Sequence, residues 1–228
     1  MSSRTDSGPR GSSPDGVVDA ILQRIAAGRL VPGQRLVEAD LTRQLQVSRG
    51  PVREAFKRLA AEGIITLSRH RGACVRAFSR QAVDDVLRVT EALSALASRL
   101  AARRIDEGDH RAQLEEAFRV LMACSGQTDS QAYQEARGRF YDTLIRISGN
   151  REIHRVMPRT QVVLLRLQFQ AYLSGAQREA HFADYRAMTE AVLAGDAERA
   201  EHATADHIRR RRENLTRLPR EAYASDDE

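Results

Sequence analysis

From Ser79 to Leu218 the chain carries one periodicity, that of the α-helix, and no run with the two-residue alternation of a strand. Apolar positions recur a turn apart through Val83, Val86, Leu87, Leu93, Leu96 and Leu100, and Ser79 stands where a helix cap is expected. Further helices are expected from Asp109 to about Cys124, up to Ser148, from about Glu152 with a kink at Pro158, up to about Ala194, and from Asp196 to about Leu218. The breaks between them, such as Gly149-Asn150 and Ser174-Gly175, are short. Long amphipathic helices joined by short loops run antiparallel to their neighbours, so 79–218 reads as an all-α antiparallel helical bundle.

The segment ahead of it has a different order. Val17, Val18, Ile21, Leu22 and Ile25 form one helical face, ended by Gly28 and a Pro32-Gly33 turn. Leu36, Leu41 and Leu45 are assigned to a second, short helix, and Gln46-Val47 links it to a third that starts at Ser48 and ends at Gly63. Ile64–Leu67 and Ala73–Phe78 read as two strands around a turn. Three helices and a hairpin are the order of a winged helix-turn-helix. The expected fold is therefore mainly α: a winged helix-turn-helix over 16–78, then the bundle over 79–218. Residues 1–15 and the acidic stretch 219–228 are expected to be a disordered arm and a disordered tail.

Charge follows the same division. Between Gly16 and Phe78 eleven Arg or Lys face five Asp or Glu, a net of +6, while the whole chain carries +5. The excess thus sits on the N-terminal segment, as expected of a module for a polyanion. The third helix concentrates it. Arg49, Arg53 and Lys57 recur at four-residue spacing, which lines them along one face, and Val52, Ala55, Phe56 and Leu59 supply a separate apolar face. Ser48 is expected to cap the helix by accepting from its first backbone donors, and Pro51 is tolerated in the first turn. Arg49 and Arg53 are candidates for base edges, where Arg can bond guanine bidentately; Ser48 and Lys57 are candidates for phosphates. In the hairpin turn, Arg69, His70 and Arg71 are placed to enter the minor groove or grip the backbone, and Gly72 permits the tight turn. A solvated surface helix and loop are the alternative.

Other classes are disfavoured. Cys74 and Cys124 make neither a disulfide framework nor a zinc spacing. No apolar run approaches the roughly 18 residues of a membrane-spanning helix, and the first residues are not a secretory signal. A cytoplasmic setting without membrane contact is expected. No nucleophile motif, phosphate loop or cofactor fingerprint supports an enzyme.

Pro32-Gly33-Gln34-Arg35-Leu36, Ser48-Arg49-Gly50-Pro51-Val52-Arg53-Glu54-Ala55, Glu62-Gly63-Ile64-Ile65 and Arg71-Gly72 together resemble the DNA-binding domain of GntR-family regulators. Arg35, within the first motif, joins the DNA-binding candidates. Phe140, Ser148-Gly149-Asn150, Ala194-Gly195-Asp196 and His207 resemble the helical FCD effector domain of the family's FadR-type branch. The resemblance implies a homodimeric regulator of transcription, acting on a palindromic operator in double-stranded DNA, usually a repressor relieved by a small effector.

In many members of that branch an Asp and three His hold a divalent metal that grips a carboxylate. Aligned on the motifs above, the Asp position is Arg137, two of the His positions are Tyr141 and Tyr185, and only His207 is kept. The Arg of the first effector helix falls at Thr90, with Arg88 as a shifted substitute. The expectation is a site without metal or other cofactor, in which Arg137, Tyr141, Tyr185, His207 and Arg88 bind an organic acid. His181 leaves open a rearranged site with His207. Two alternatives stand beside this reading: a regulator without ligand, Arg137 being paired to Glu135 or Asp142, and, more remotely, an enzyme built on the bundle.

Overall fold

The computed structural model describes residues 13–68, 71–126, 131–172 and 174–225. In chain order its elements are α1 (Pro14–Ala26), β1 (Arg35–Leu36), α2 (Glu38–Leu45), α3 (Arg49–Ala61), β2 (Ile65–Ser68), β3 (Gly72–Val75), α4 (Arg80–Arg103), α5 (His110–Met122), α6 (Gln131–Ser148), α7 (Arg151–Val156), α8 (Arg159–Phe169), α9 (Gly175–Leu193) and α10 (Ala197–Thr216). They fall into two compact units. One holds the described residues up to Ser79, together with Arg159–Gln168 and the described residues from Glu221; the other holds Arg80–Pro158 and Phe169–Arg220.

The first unit is a winged helix-turn-helix. Ser13 starts α1, its hydroxyl accepting from the Gly16 amide at 3.3 Å, with Pro14 in the first turn. Residues 13–15 of the expected disordered arm thus belong to the start of α1, and residues 1–12 lie outside the described residues. Val17, Val18, Ile21 and Ile25 of α1 are buried, as are Val52, Ala55, Phe56 and Leu59 of α3, and the two helices pack together. Each of these Val, Ile, Leu and Phe side chains contributes roughly 1.5–3 kcal/mol on burial. The sheet order is β1-β3-β2, all antiparallel, with Arg35 opposite Cys74 and Leu67 opposite Ala73. Leu36 is thus a buried strand residue and not part of the second helix. A two-residue strand is too short to display a period, which is why its pattern was absorbed into the helix beside it.

Residues of α8 complete this unit. The Gln168 amide donates to the carbonyls of Phe78 at 3.0 Å and Ala222 at 3.1 Å, and its oxygen accepts from the Phe78 amide at 2.8 Å. The expected disorder from 219 is corrected accordingly. Arg220–Ala222 form a 3-10 turn, Ala222 is buried, and the Ala224 amide donates to the Phe78 carbonyl at 3.1 Å. A charged composition did not reveal that backbone groups, which every residue carries, would dock this segment. Residues 226–228 lie outside the described residues.

The second unit is the helical bundle. Small residues of α4, Ala97, Ser98, Ala101 and Ala102, are buried where α4 packs along α10, which offers Ala200 and Thr204. Their size allows close approach, and Thr204 donates to the Ser98 hydroxyl at 2.8 Å. Phe140, Leu144, Ile147, Phe182 and Met188 fill the space among α6, α9 and the helices around them. After α6, Gly149 takes φ +68°, a left-handed value that favours glycine, and Asn150 caps α7 by accepting from Glu152 and Ile153. The expected kink at Pro158 is a complete break: Met157 is extended at ψ 124°, as a residue before proline prefers, and α7 and α8 are separate helices.

Candidate functional site

The reading surface is built by α2, the turn after it, α3 and the sheet. Gln46 turns the chain in the left-handed region at φ 53°, which only a few non-glycine residues do. Ser48 is the extended residue ahead of α3, but its side chain caps nothing. The reason lies in the sequence: the third helical residue is Pro51, which lacks the N–H that a capping hydroxyl often engages. The exposed Ser48 hydroxyl remains available for another acceptor or donor.

Burying Val52, Ala55, Phe56 and Leu59 turns Arg49, Arg53 and Lys57 outward, and all three are exposed. Arg53 Nε lies 3.1 and 3.0 Å from the two Glu38 oxygens, and Lys57 Nζ lies 3.5 Å from Glu54. At the hairpin, Arg71 is exposed and Gly72 takes φ +73°. Arg35, on the neighbouring strand, reaches the same turn: a Cβ on Gly72 would meet its Nη2 at 3.9 Å. The structure thus brings Arg35, Arg71 and Gly72 together. His70, like Arg69, lies outside the described residues.

The bundle holds a second cluster, polar and largely buried. Arg137 of α6 donates from Nε to the Tyr185 hydroxyl at 3.1 Å, and its guanidinium carbon lies 5.1 Å from the centre of the Tyr141 ring. Tyr185 and His207 rings are 5.1 Å apart, and His181 and His207 rings 5.4 Å apart. Tyr185 and His207 are 1% exposed. Four of the five effector candidates therefore meet. The fifth does not: Arg88 is exposed on α4 and donates to Asp84 at 2.6 Å. Thr90, two residues on and some 200° further round the helix at 3.6 residues per turn, is the inward position; it is buried and its hydroxyl donates to the Val86 carbonyl.

The sequence reading missed three members of this cluster. Arg211, 6% exposed, follows His207 by one turn on α10. Asp184 receives His207 Nδ1 at 2.9 Å and also accepts from Arg210. Tyr133 is buried on α6, and burial pushes its hydroxyl up against the opposing charges of Arg137 and Arg211. Arg211 lies four residues after His207, and Asp184 three after His181, spacings that put each pair on one helix face.

Electrostatics sharpen the picture. Burial, then the charges of His207, Arg211 and Arg137, push His181 down to about 3. Burial also lowers His207, against the pull of Asp184, so both imidazoles are neutral near pH 7. Burial and the charge of Arg137 push Arg211 down to about 10, still protonated at neutral pH. Tyr141 is held protonated by burial. The cluster is two guanidiniums among neutral donors and acceptors, with its one carboxylate shared by His207 and Arg210.

These residues do not fit the metal that the FadR-type branch implies. A cation site needs several anionic or lone-pair donors converging. Here a guanidinium occupies the carboxylate position, and among the described residues no three His, Cys, Asp or Glu gather as a metal-holding group.

Comparison with known proteins agrees with the two units. Residues 14–75 match the family described as bacterial regulatory proteins, gntR family, and residues 85–210 match the FCD domain. The chain is 29% identical over 196 residues to a probable D-xylose utilization operon transcriptional repressor of Paenarthrobacter nicotinovorans, 84% of each chain being covered. It is 26% identical over 156 residues to the galactonate operon transcriptional repressor of Escherichia coli, 60% of this chain and 67% of that protein. Among solved structures, E. coli McbR/YncC shares its fold at TM-score 0.71 with 21% identity, covering 87% of this chain and 94% of that one. A putative GntR regulator of Rhodococcus sp. RHA1 does so at 0.72 with 20% identity, covering 90% and 99%. These relatives are regulators and not enzymes. The chain belongs to the gntR family of bacterial regulatory proteins, carries an FCD domain, and is a DNA-binding transcriptional regulator.

Proposed function

We propose that this regulator is a cytoplasmic homodimeric repressor that binds a palindromic operator through Arg35, Ser48, Arg49, Arg53, Lys57 and the hairpin turn at His70, Arg71 and Gly72, and is released by an organic acid held in the bundle without a metal. Both relatives described above are named as repressors, which supports the sign. Two-fold protein symmetry matches two-fold operator symmetry, which supports the dimer.

One observation carries the ligand. Arg137 donates to the Tyr185 hydroxyl, and among the described residues it forms no ion pair with Glu135, Asp142 or any other carboxylate. A guanidinium set among buried aromatic rings gains several kcal/mol from a carboxylate that water would not supply there. Tyr141, Tyr185 and His207 surround it with hydrogen-bonding groups.

The test has two parts. A gel-shift assay with DNA from around the regulator's own gene should show a complex that Arg49→Ala and Arg53→Ala each weaken with the fold intact. Thermal-shift screening of wild type against organic acids should raise the melting temperature, and Arg137→Gln should remove the shift. No stabilisation by any acid leaves a ligand-independent regulator in its place. Tight stoichiometric zinc, read by elemental analysis, overturns the metal-free site.

A further inference from the structure

Three buried polar atoms of the bundle cluster have no hydrogen-bond partner among the described residues: Arg211 Nε, His207 Nε2 and Tyr141 Oη. Arg211 and His207 are 6% and 1% exposed, so bulk water does not satisfy them. An unsatisfied buried donor or acceptor forfeits its hydration without replacement, a heavier loss when it is charged. Three in one place are the signature of groups arranged for something that is not protein.

Two of these atoms have a definite polarity. Arg211 Nε is a donor and carries charge, next to the charge of Arg137. Neither is neutralised by Asp184, whose two oxygens are taken by His207 Nδ1 and Arg210. His207 is the informative group. Its Nδ1 faces a carboxylate, which accepts only, so Nδ1 carries the proton. In a neutral imidazole Nε2 is then a bare lone pair. It repels an anionic oxygen and accepts from a hydroxyl. The cluster therefore asks for negative charge at its two guanidiniums and for a hydrogen-bond donor at His207.

We propose that the site selects a hydroxy-carboxylate, with the carboxylate held by Arg137 and Arg211 together and a hydroxyl of the same molecule donating to His207 Nε2. This rests on the organic-acid reading above and adds a second anchor, Arg211, and a specificity-determining acceptor, His207. Tyr141 Oη, able to donate or accept, completes the set. A metal on the Nε2 lone pair is opposed by the same two guanidiniums.

Matched pairs of acids that differ by hydroxylation test it: malate against succinate, glycerate against propionate, gluconate against hexanoate. Titration calorimetry on the full chain should find a hydroxy acid that binds at least about tenfold tighter than its deoxy partner. Arg211→Gln should weaken that acid at least about tenfold while keeping the acid-free melting temperature at or above wild type, since it removes a buried unpaired charge. His207→Phe, checked for fold by operator binding, should bring the ratio of hydroxy to deoxy affinity near one. If acids bind but both members of each pair bind alike and Arg211→Gln is silent, this inference is overturned and the organic-acid reading stands. If no acid of the panel binds, both fall.

Discussion

Arg53 donates from Nε toward both carboxylate oxygens of Glu38, at 3.1 and 3.0 Å, so the first residue of α2 holds the guanidinium of α3 by its side. The Arg53 side chain stays exposed, and its terminal nitrogens are the pair with which Arg can bond a guanine edge. On the proposed reading of Arg53, Glu38 is a positioning residue for the operator. Arg53→Ala should cost about 1–3 kcal/mol of operator binding, the worth of one bidentate base contact. Glu38→Gln should narrow the gap between operator and scrambled DNA without changing binding to scrambled DNA, measured by fluorescence anisotropy at fixed salt. Tighter operator binding by Glu38→Gln marks Glu38 as a competitor of DNA and not a support.

Lys57 lies two turns after Arg49 on the same exposed face, loosely paired to Glu54 at 3.5 Å. A phosphate contact from this position is independent of sequence. Lys57→Ala should weaken operator and scrambled DNA alike, and flatten the slope of log affinity against log salt by about 1. A loss confined to the operator shows instead that Lys57 reads bases.

Most of the reading surface was legible because local rules agree there. The four-residue spacing of Arg49, Arg53 and Lys57, and the buried face of Val52, Ala55, Phe56 and Leu59, follow from helix geometry alone. The failure of Ser48 to cap was legible only in part: Pro51 removes the donor at the third helical position, while Gly50 at the second keeps its N–H. The bundle cluster was half legible. Arg137, Tyr141, Tyr185 and His207 came from the spacing of family motifs; Arg211 and Asp184 share helix faces with His207 and His181, but that these faces converge depends on how α9 and α10 pack, which no spacing within one helix states. β1 and the docking of α8 beside Phe78 are long-range pairings without a local signal.

The neutral histidines make stability fall in acid. Burial and the charges of His207, Arg211 and Arg137 push His181 down to about 3, with Asp184 pulling the other way. His207 is lowered too, with Asp184, Arg137 and Arg211 facing it. An unfolded His titrates near 6.5, so the unfolded state takes the proton first. The stabilisation is full above about pH 6.5 and is lost below it, by at most about 1.4 kcal/mol per pH unit for each His. Asp184, lowered by its partners, adds a loss at more acid pH, below the ordinary carboxylate value. Calorimetric melting temperatures should drop between pH 6.5 and 5, and His181→Gln should flatten the drop. A flat profile to pH 5 contradicts neutral imidazoles in the fold.

Gln168 ties the last prediction to regulation. The chain passes between the two units after Ser79, Pro158, Gln168 and Arg220, so residues 159–168 sit in the reading unit while the chain on either side belongs to the bundle. Within the reading unit Gln168 secures this segment through three hydrogen bonds to Phe78 and Ala222. A net value of about 1 kcal/mol for each makes Gln168→Ala a loss of a few kcal/mol and several degrees of melting temperature. If the segment carries the effector's signal, the variant separates two measurements. Calorimetric affinity for the acid should stay as in wild type, because every proposed ligand contact lies on α6, α9 and α10. Release of operator DNA by the same acid should weaken, because a loosened α8 transmits less of the bundle's preference between states. Undiminished release at equal affinity means that the signal travels by another of the four crossings, and Gln168 serves stability alone.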